Sequence, residues 1–431
     1  MKDNKRNSHG MVSIGGRQVF YGWLIVGACL VIQWLASVLW MNSYGVYAIK
    51  LQHEFGWSMT VLAGAFAMIR LESGLLGPIQ GWMADRYGPR FVMLLGIFLF
   101  STGMVLFGFV DSLTGFFVSV ALIAVGSSLG GWATISVAIV NWFDKHRSKA
   151  IALAQLGFPL GGLCVPLVTL GIDAFSWRTM AFVSAGILIA IAIPLAIAIL
   201  PPPKRIGALG EKPLPGEDSN TSETTVLQDN SFTWRQAVAT KSFWLISVGH
   251  AMSLLSVSAI LMHLIPHLTN GLKLDLLTAS IIFSWMTGMQ LFGMLLGGFL
   301  GDYFNKRIVS MICMLGHCAG LLAIVHVEGQ LGLILFVVIH GLCWGIRGPL
   351  MVSIRADYFG AASFGTIMGI SSLIVMTGMT AGPLISGWLY DVYGNYDIAF
   401  TSMAIASGLG SLCFWFARPP EPQSQLSRPV T

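Results

Sequence analysis

Twelve stretches of roughly 20 or more mostly apolar residues dominate the chain, each long enough to carry an α-helix across about 30 Å of bilayer hydrocarbon. They run approximately over 22–46, 58–80, 91–110, 115–140, 149–171, 179–200, 242–266, 278–300, 308–326, 331–354, 364–388 and 397–416. Strands of a transmembrane barrel would be shorter and would alternate, and these do not. Charged residues make up only 10% of the chain and hydrophobic ones 55%, a balance that no water-soluble surface of 431 residues tolerates. The expected fold is therefore an all-α membrane protein. The first twenty residues are polar and lead straight into the first run, so no cleavable signal peptide is expected. All six cysteines (Cys29, Cys164, Cys313, Cys318, Cys343, Cys413) fall within the runs, where a free thiol packs as a small apolar group; neither a disulfide nor a metal site is expected.

Basic residues set the orientation. With both termini in the cytoplasm, the outer loops hold only Lys50, Arg178 and Lys273, while the inner segments hold most of the remaining Lys and Arg, Arg355 among them. This asymmetry accounts for the net charge of +5 without any nucleic-acid partner.

The chain also repeats itself. A polar segment rich in Pro, Ser, Thr and charge divides two sets of six runs and reads as a flexible cytoplasmic linker. The expected organisation is a cytoplasmic tail (1–20), a six-helix bundle (21–200), the linker (201–241), a second six-helix bundle (242–417) and a cytoplasmic tail (418–431). A shift of about 217 residues lays GWMADRYGPR (81–90) on GFLGDYFNKR (298–307), which aligns Asp85 with Asp302. Shifts of 216 and 218 residues bring VNWFDKHRSKAI (140–151) onto ADYFGAASFGTI (356–367) and DAFSWRTMAF (173–182) onto DVYGNYDIAF (391–400).

Twelve runs as six plus six, a central loop, and G-x-x-x-D-R-x-G-x-R after the second run with a weaker copy after the eighth resemble the major facilitator superfamily. The resemblance covers nearly the whole chain. It implies two pseudo-symmetric bundles that rock about a central site and open it alternately to each side of the membrane. It also implies that runs 1, 4, 7 and 10 line the cavity, that 2, 5, 8 and 11 flank it, and that 3, 6, 9 and 12 face lipid.

The loop motif has a physical logic of its own. Gly81 and Gly88 permit close approach and a tight turn, and Asp85 can accept hydrogen bonds from neighbouring arginines or a facing helix end. Arg86 and Arg90 either join that latch or only enforce topology. Gly81, Asp85, Arg86, Gly88, Arg90 and Asp302 are therefore expected in gating.

Substrate recognition requires polar groups at membrane depth. Away from loops and helix ends the formal charges are Arg70 and Glu72 in the second run and Arg347 in the tenth. An ion at the bilayer centre costs at least about 2.5 kcal/mol on insertion scales, so such residues pair or line a wet cavity. His340, Trp344, Arg347 and Met351 fall at i, i+4, i+7 and i+11 on one stripe. The repeat sets Ala124, Ser128, Gly131 and Ile135 opposite them, so Arg347 has no symmetric twin, which suits a substrate with one anionic end. Pro349 follows and can kink the helix, freeing carbonyls near the site. On the first run Gln33 and Ser37 form a polar pair, with Trp40 and Tyr44 further out where aromatic belts are ordinary. On the seventh, His250 is buried by position. The substrate-binding candidates are Arg347, His340, Trp344, Gln33, Ser37 and His250.

HLIPHLTNG (263–271), followed by a helix and the second G-x-x-x-D loop, is similar to the monocarboxylate and oxalate/formate-type branch of the superfamily, which moves small organic acids. Members of that branch often carry a basic residue on the eighth run, whereas residues 278–298 hold no charge; Arg347 or Arg70 would take over that role. Glu72 is the only carboxylate deep inside a run and the first choice for a proton site, with Arg70 beside it in the coupling pair. Residues two apart on a helix point about 200° from one another, so Arg70 and Glu72 cannot both face the cavity. One of them is expected to meet the first or the eleventh helix.

The expected function is proton-coupled transport of small organic anions such as monocarboxylates by alternating access. The alternative is a proton-driven exporter of drugs or metabolites, because LGFPLGG (156–162) and GMTAGPLISG (378–387) resemble the family's antiporter motif; simple close packing explains the same glycines. A non-transporting receptor is a further alternative. No G-x-S-x-G, P-loop or H-E-x-x-H supports an enzyme, and no cofactor is expected. Expected partners are an anionic small molecule, protons and the lipid bilayer, with the protein working as a monomer in a bacterial inner (plasma) membrane.

Overall fold

The computed structural model describes residues 11–14, 17–143, 147–199, 232–327, 329–360 and 363–420. Most of the expected linker and of both tails lies outside them. Two strands, Met11–Ile14 and Arg17–Phe20, pair antiparallel with Met11 opposite Phe20, within the stretch expected to be a polar tail. Val12 and Ile14 in the first strand and Val19 in the second are β-branched, which suits extended backbone.

The rest of the described chain is helical. The successive spans are α1 (Tyr21–Phe55), α2 (Met59–Tyr87), α3 (Pro89–Gly108), α4 (Leu113–Val140), α5 (Lys149–Ala174), α6 (Trp177–Ala198), α7 (Lys241–Gly271), α8 (Leu276–Tyr303), α9 (Lys306–His326), α10 (Gly329–Phe359), α11 (Phe364–Tyr393) and α12 (Asp397–Phe416). Among the described residues, eleven of these are long and apolar enough to cross a membrane. The twelfth, α2, is a helix of 29 residues that carries Arg70 and Glu72. A short helix, Trp234–Ala239, precedes α7 inside the expected linker and begins with a capping box between Thr233 and Gln236.

Several spans are bent or interrupted, and the residues at the breaks explain why. The helix of α1 widens into a π turn at Ser37–Met41 and restarts at Tyr44. It then runs past the expected end near 46 because Tyr47, Ile49 and Leu51 are buried, while Lys50, Gln52 and His53 turn to the more exposed side. Gly56, in the left-handed region at φ +66°, ends it. α4 breaks after Leu129 at the Gly130–Gly131 pair. α5 is broken into three pieces: the helix Arg147–Gln155, which begins two residues before the apolar span, then Gly157–Leu163 and Val165–Ala174, the last two containing a proline that removes a backbone donor. α10, by contrast, continues through Gly348 and Pro349 for 31 residues.

Tertiary contacts divide the chain into two compact units, one of Met1–Asn42, Leu75–Gly161 and Leu170–Thr224, the other of Ser43–Gly74, Gly162–Thr169 and Thr225–Thr431. In the first, Ala84, Val92 and Leu129 form a core cluster. In the second, Ile246, Met314, Ile346, Leu350 and Phe414 from α7, α9, α10 and α12 form a larger one. Small residues draw its helices close: a Cβ on Gly345 of α10 would lie 2.0 Å from the Gln290 carbonyl of α8. The glycines of residues 378–387 have the same use. A Cβ on Gly378 or Gly382 would fall 2.1 or 2.0 Å from carbonyls of α7, so this stretch is a packing surface of α11.

Candidate substrate and gating sites

The stripe expected on α10 is buried along its length: His340, Trp344, Arg347 and Met351 are each no more than 9% exposed. Arg347 is 1% exposed, and its Nε and Nη1 have no hydrogen-bond partner among the described residues. Against it stands a residue that the sequence reading passed over, His317 of α9. The Nδ1 atoms of His317 and His340 lie 3.1 Å apart, and the His340 ring also stacks on Phe336. Two neutral rings make this contact only if one carries its proton on Nδ1 and the other accepts. The Nε2 atoms of both rings have no hydrogen-bond partner among the described residues. The field of Arg347 reaches both rings and also His250 of α7. The hydrogen-bonded thiols of Cys313 and Cys343 lie beside the same guanidinium.

A second arginine was missed. Arg355, grouped by sequence with the cytoplasmic basic residues, is 1% exposed because α10 continues to Phe359, past its expected end. Its Nε and Nη2 donate to Ser371 Oγ of α11 at 3.1 and 2.8 Å, its Nη1 donates to the Met351 carbonyl at 2.6 Å, and its Nη2 lies 3.4 Å from His250 Nδ1. Ser371 Oγ is in turn 2.8 Å from Ser247 Oγ of α7. The sequence signal for Arg355 was its spacing of eight from Arg347 within one unbroken helix.

Gln33 and Ser37 lie in the first unit. Gln33 is half-buried, whereas the Ser37 hydroxyl is engaged in holding α1 to α5. It donates to the Phe158 carbonyl at 2.7 Å and accepts from Asn42 Nδ2 at 2.7 Å, while Gly161 lets α5 approach. Trp40 and Tyr44, read as belt aromatics, are instead fully buried. Trp40 packs edge-on against Phe107, and the Tyr44 hydroxyl donates to the Leu62 carbonyl of α2 at 2.7 Å.

Arg70 turns back along α2, with its guanidinium over the Phe66 ring at 5.0 Å. Phe66 rests on Tyr44, so the Arg70 face of α2 is the one that meets α1. Glu72 is half-buried on the same helix. Of the loop residues, the side chains of Gly81 and Asp85 lie outside the description. Gly88 has φ +84°, a region that favours glycine, and Pro89 follows as the first helical residue of α3. Arg86 is exposed and lies over the Trp82 and Tyr87 rings, Arg90 is half-buried, and Asp302 is exposed.

At the end of the second unit away from the chain termini, another missed residue links the two sequence repeats. Asp391 sits in the last turn of α11, where the helix dipole disfavours an anion, but it stands at the start of α2, where the dipole favours one. Its carboxylate accepts from the backbone N–H of Met59 at 3.0 Å and of Thr60 at 2.8 Å, and from the Thr60 hydroxyl. Gly387 brings α11 within reach, since a Cβ there would be 2.8 Å from the Met59 carbonyl. Beside this contact His263 bridges Tyr396 Oη at 3.0 Å and the Pro383 carbonyl at 2.8 Å. A neutral ring with its proton on Nε2 satisfies both. Asn270 Nδ2 donates to Gln52 Oε1 at 2.9 Å.

The sequence matches the family profile described as Major Facilitator Superfamily over residues 29–264 and again over 246–430. It is similar to monocarboxylate transporter 13 of Bos taurus, 25% identical over 388 residues that cover 88% of this chain and 85% of that protein. It is also similar to monocarboxylate transporter 2 of Homo sapiens, 22% identical over 398 residues covering 89% and 82%. In fold it is similar to a bacterial homolog of the human lysosomal transporter Spinster, solved in an inward-facing, occupied conformation. That likeness has a TM-score of 0.71 at 16% identity and covers 92% of this chain and 97% of that one.

Proposed function

The chain belongs to the major facilitator superfamily and is a membrane transporter rather than an enzyme, and on that premise we propose that it moves small organic anions, coupled to protons, by alternating access. The observation that carries this reading is Arg347, a guanidinium buried on α10 with two nitrogens that no hydrogen bond among the described residues satisfies. Burial of an unpaired cation is unfavourable by several kcal/mol. A carboxylate restores the balance, because its two oxygens match the guanidinium fork. His340 and His250, which the field of Arg347 reaches, are the companions of that anchor in this reading. The likeness to monocarboxylate transporters agrees with this chemistry.

Glu72 is the proton carrier in this reading and Arg70 its companion on the coupling helix. With both termini cytoplasmic, as the basic residues favour, the loop residues Gly81, Asp85, Arg86, Gly88, Arg90 and Asp302 gate the inner side. Asp391 gates the outer side, which opens when its carboxylate leaves the start of α2. The test is counterflow of labelled lactate into proteoliposomes of the purified protein. Exchange is expected in the native protein and absent in Arg347→Ala. Unchanged lactate affinity in that variant would rule out the anchor, and binding without exchange would make the protein a receptor.

A further inference from the structure

Two buried guanidiniums share the interior of the second unit, and the charge on them is not balanced there. Arg347 and Arg355 are both 1% exposed, and the field of Arg347 reaches Arg355. Eight residues separate them, about 12 Å of rise and about 80° of rotation on the same helix, which long side chains readily bridge. Between them lies the His250 ring, within the field of both. Among the described residues, no carboxylate pairs with either arginine: the acceptors around Arg355 are a serine hydroxyl, a backbone carbonyl and a ring nitrogen, all neutral. Neutral acceptors satisfy hydrogen bonds but leave the repulsion between like charges in a low dielectric. A bound monoanion cancels one of these charges. A ligand with two carboxylates cancels both.

We propose that Arg355, held by Ser371 and His250, is a second anion anchor, and that the preferred substrate is therefore a short dicarboxylate spanning Arg347 and Arg355. The inference rests on the anion reading of Arg347 given above. Ser371 and Met351 position the second guanidinium, so that its remaining Nη1–H is the donor left for the distal carboxylate.

The test is isothermal titration of the purified full-length protein near neutral pH with succinate, its monomethyl ester and butyrate, one dianion and two monoanions. Succinate is expected to bind at least about tenfold more tightly than either monoanion. In Arg355→Gln that preference should vanish while butyrate affinity changes less than about threefold, and Arg355→Lys should recover part of it. A purely structural role for Arg355 would lower the melting temperature and leave the ratio of affinities unchanged. Equal binding of succinate and its monomethyl ester by the native protein overturns the dicarboxylate assignment even if no Arg355 variant folds, as does a preference that survives Arg355→Gln. If none of the three ligands binds the folded native protein, the anion reading of Arg347 itself is wrong.

Discussion

The interior of the second unit and its far end, where α2 meets α11, both hold charge, but they treat it in opposite ways. Arg347 is enclosed and two of its nitrogens have no hydrogen-bond partner among the described residues. Asp391 is more exposed, and its carboxylate accepts from two backbone amides and a hydroxyl at a helix start. A charge with its hydrogen bonds complete stabilises the arrangement it belongs to. A charge left incomplete destabilises the empty protein and reserves its binding energy for a ligand. On that contrast rest the proposed roles of Asp391 in gating and of Arg347 in binding.

The largest expected effect comes from removing the incomplete charge. Arg347→Met should reduce affinity for carboxylates by about 100-fold, the loss of a bidentate charge-assisted contact. The same variant should melt at an unchanged or higher temperature, because an apolar side chain of similar volume replaces an uncompensated cation. Thermal melts and ligand titrations on one preparation check both halves. A large fall in melting temperature would mean that Arg347 holds the bundle together and is not reserved for substrate.

The complete charge should behave in reverse. Asp391→Ala removes the acceptor for two amides at the start of α2, which is expected to weaken the far-end closure by about 1–2 kcal/mol. Substrate affinity measured on detergent-solubilised protein should change little by comparison. Spin labels at Lys50 and Lys273 would report the effect, with the longer-distance population growing in the variant. An unaltered distance distribution would show that Asp391 does not latch that end.

The contrast also indicates what a sequence can reveal. The helical spans were legible because hydrocarbon thickness imposes their length and because nothing else explains runs so apolar. Arg347 was legible as the lone charge within the tenth run. Arg355 was not, since an arginine near the end of an apolar run satisfies the rule for cytoplasmic positive charge equally well; only the continuation of α10 to Phe359 encloses it. His317 was hidden for another reason. Lone histidines in apolar helices usually pack, and its pairing with His340 depends on how α9 lies against α10. Asp391 left a trace that hydropathy ignores, an acidic residue in the last turn of a helix, where its own dipole opposes it.

A smaller effect is expected at Glu72, on the helix that Asp391 caps. Glu72→Gln should leave substrate binding near its native value and flatten the dependence of transport on external pH, as measured by lactate uptake across a pH series. Uptake with an unchanged pH profile would remove Glu72 from the coupling role and leave Asp391 as the principal carboxylate acting on α2.

The smallest effect concerns the repeat partner of α2. A shift of 217 residues carries Ser58, beside the start of α2, onto Asp275, the N-cap of α8. α8 is thus capped from within, by Asp275 Oδ1 accepting from the Thr278 N–H at 2.9 Å and Oδ2 accepting from its hydroxyl at 2.6 Å, whereas α2 receives its acid from α11. The Thr278 hydroxyl, and then its backbone N–H, hold the Asp275 carboxyl below the usual carboxylate range. A group with a lowered folded-state pKa contributes stability that is fully present above its unfolded value, about 3.9, and is lost as pH falls through the folded value. Asp275→Asn should therefore melt slightly below the native protein at neutral pH, with the difference closing in acid. The label distance between Lys50 and Lys273 should stay as it is in the native protein. If Asp275→Asn opened the far end as widely as Asp391→Ala, capping from within and capping from a neighbouring helix would be equivalent, and the assignment of Asp391 to gating would lose its basis.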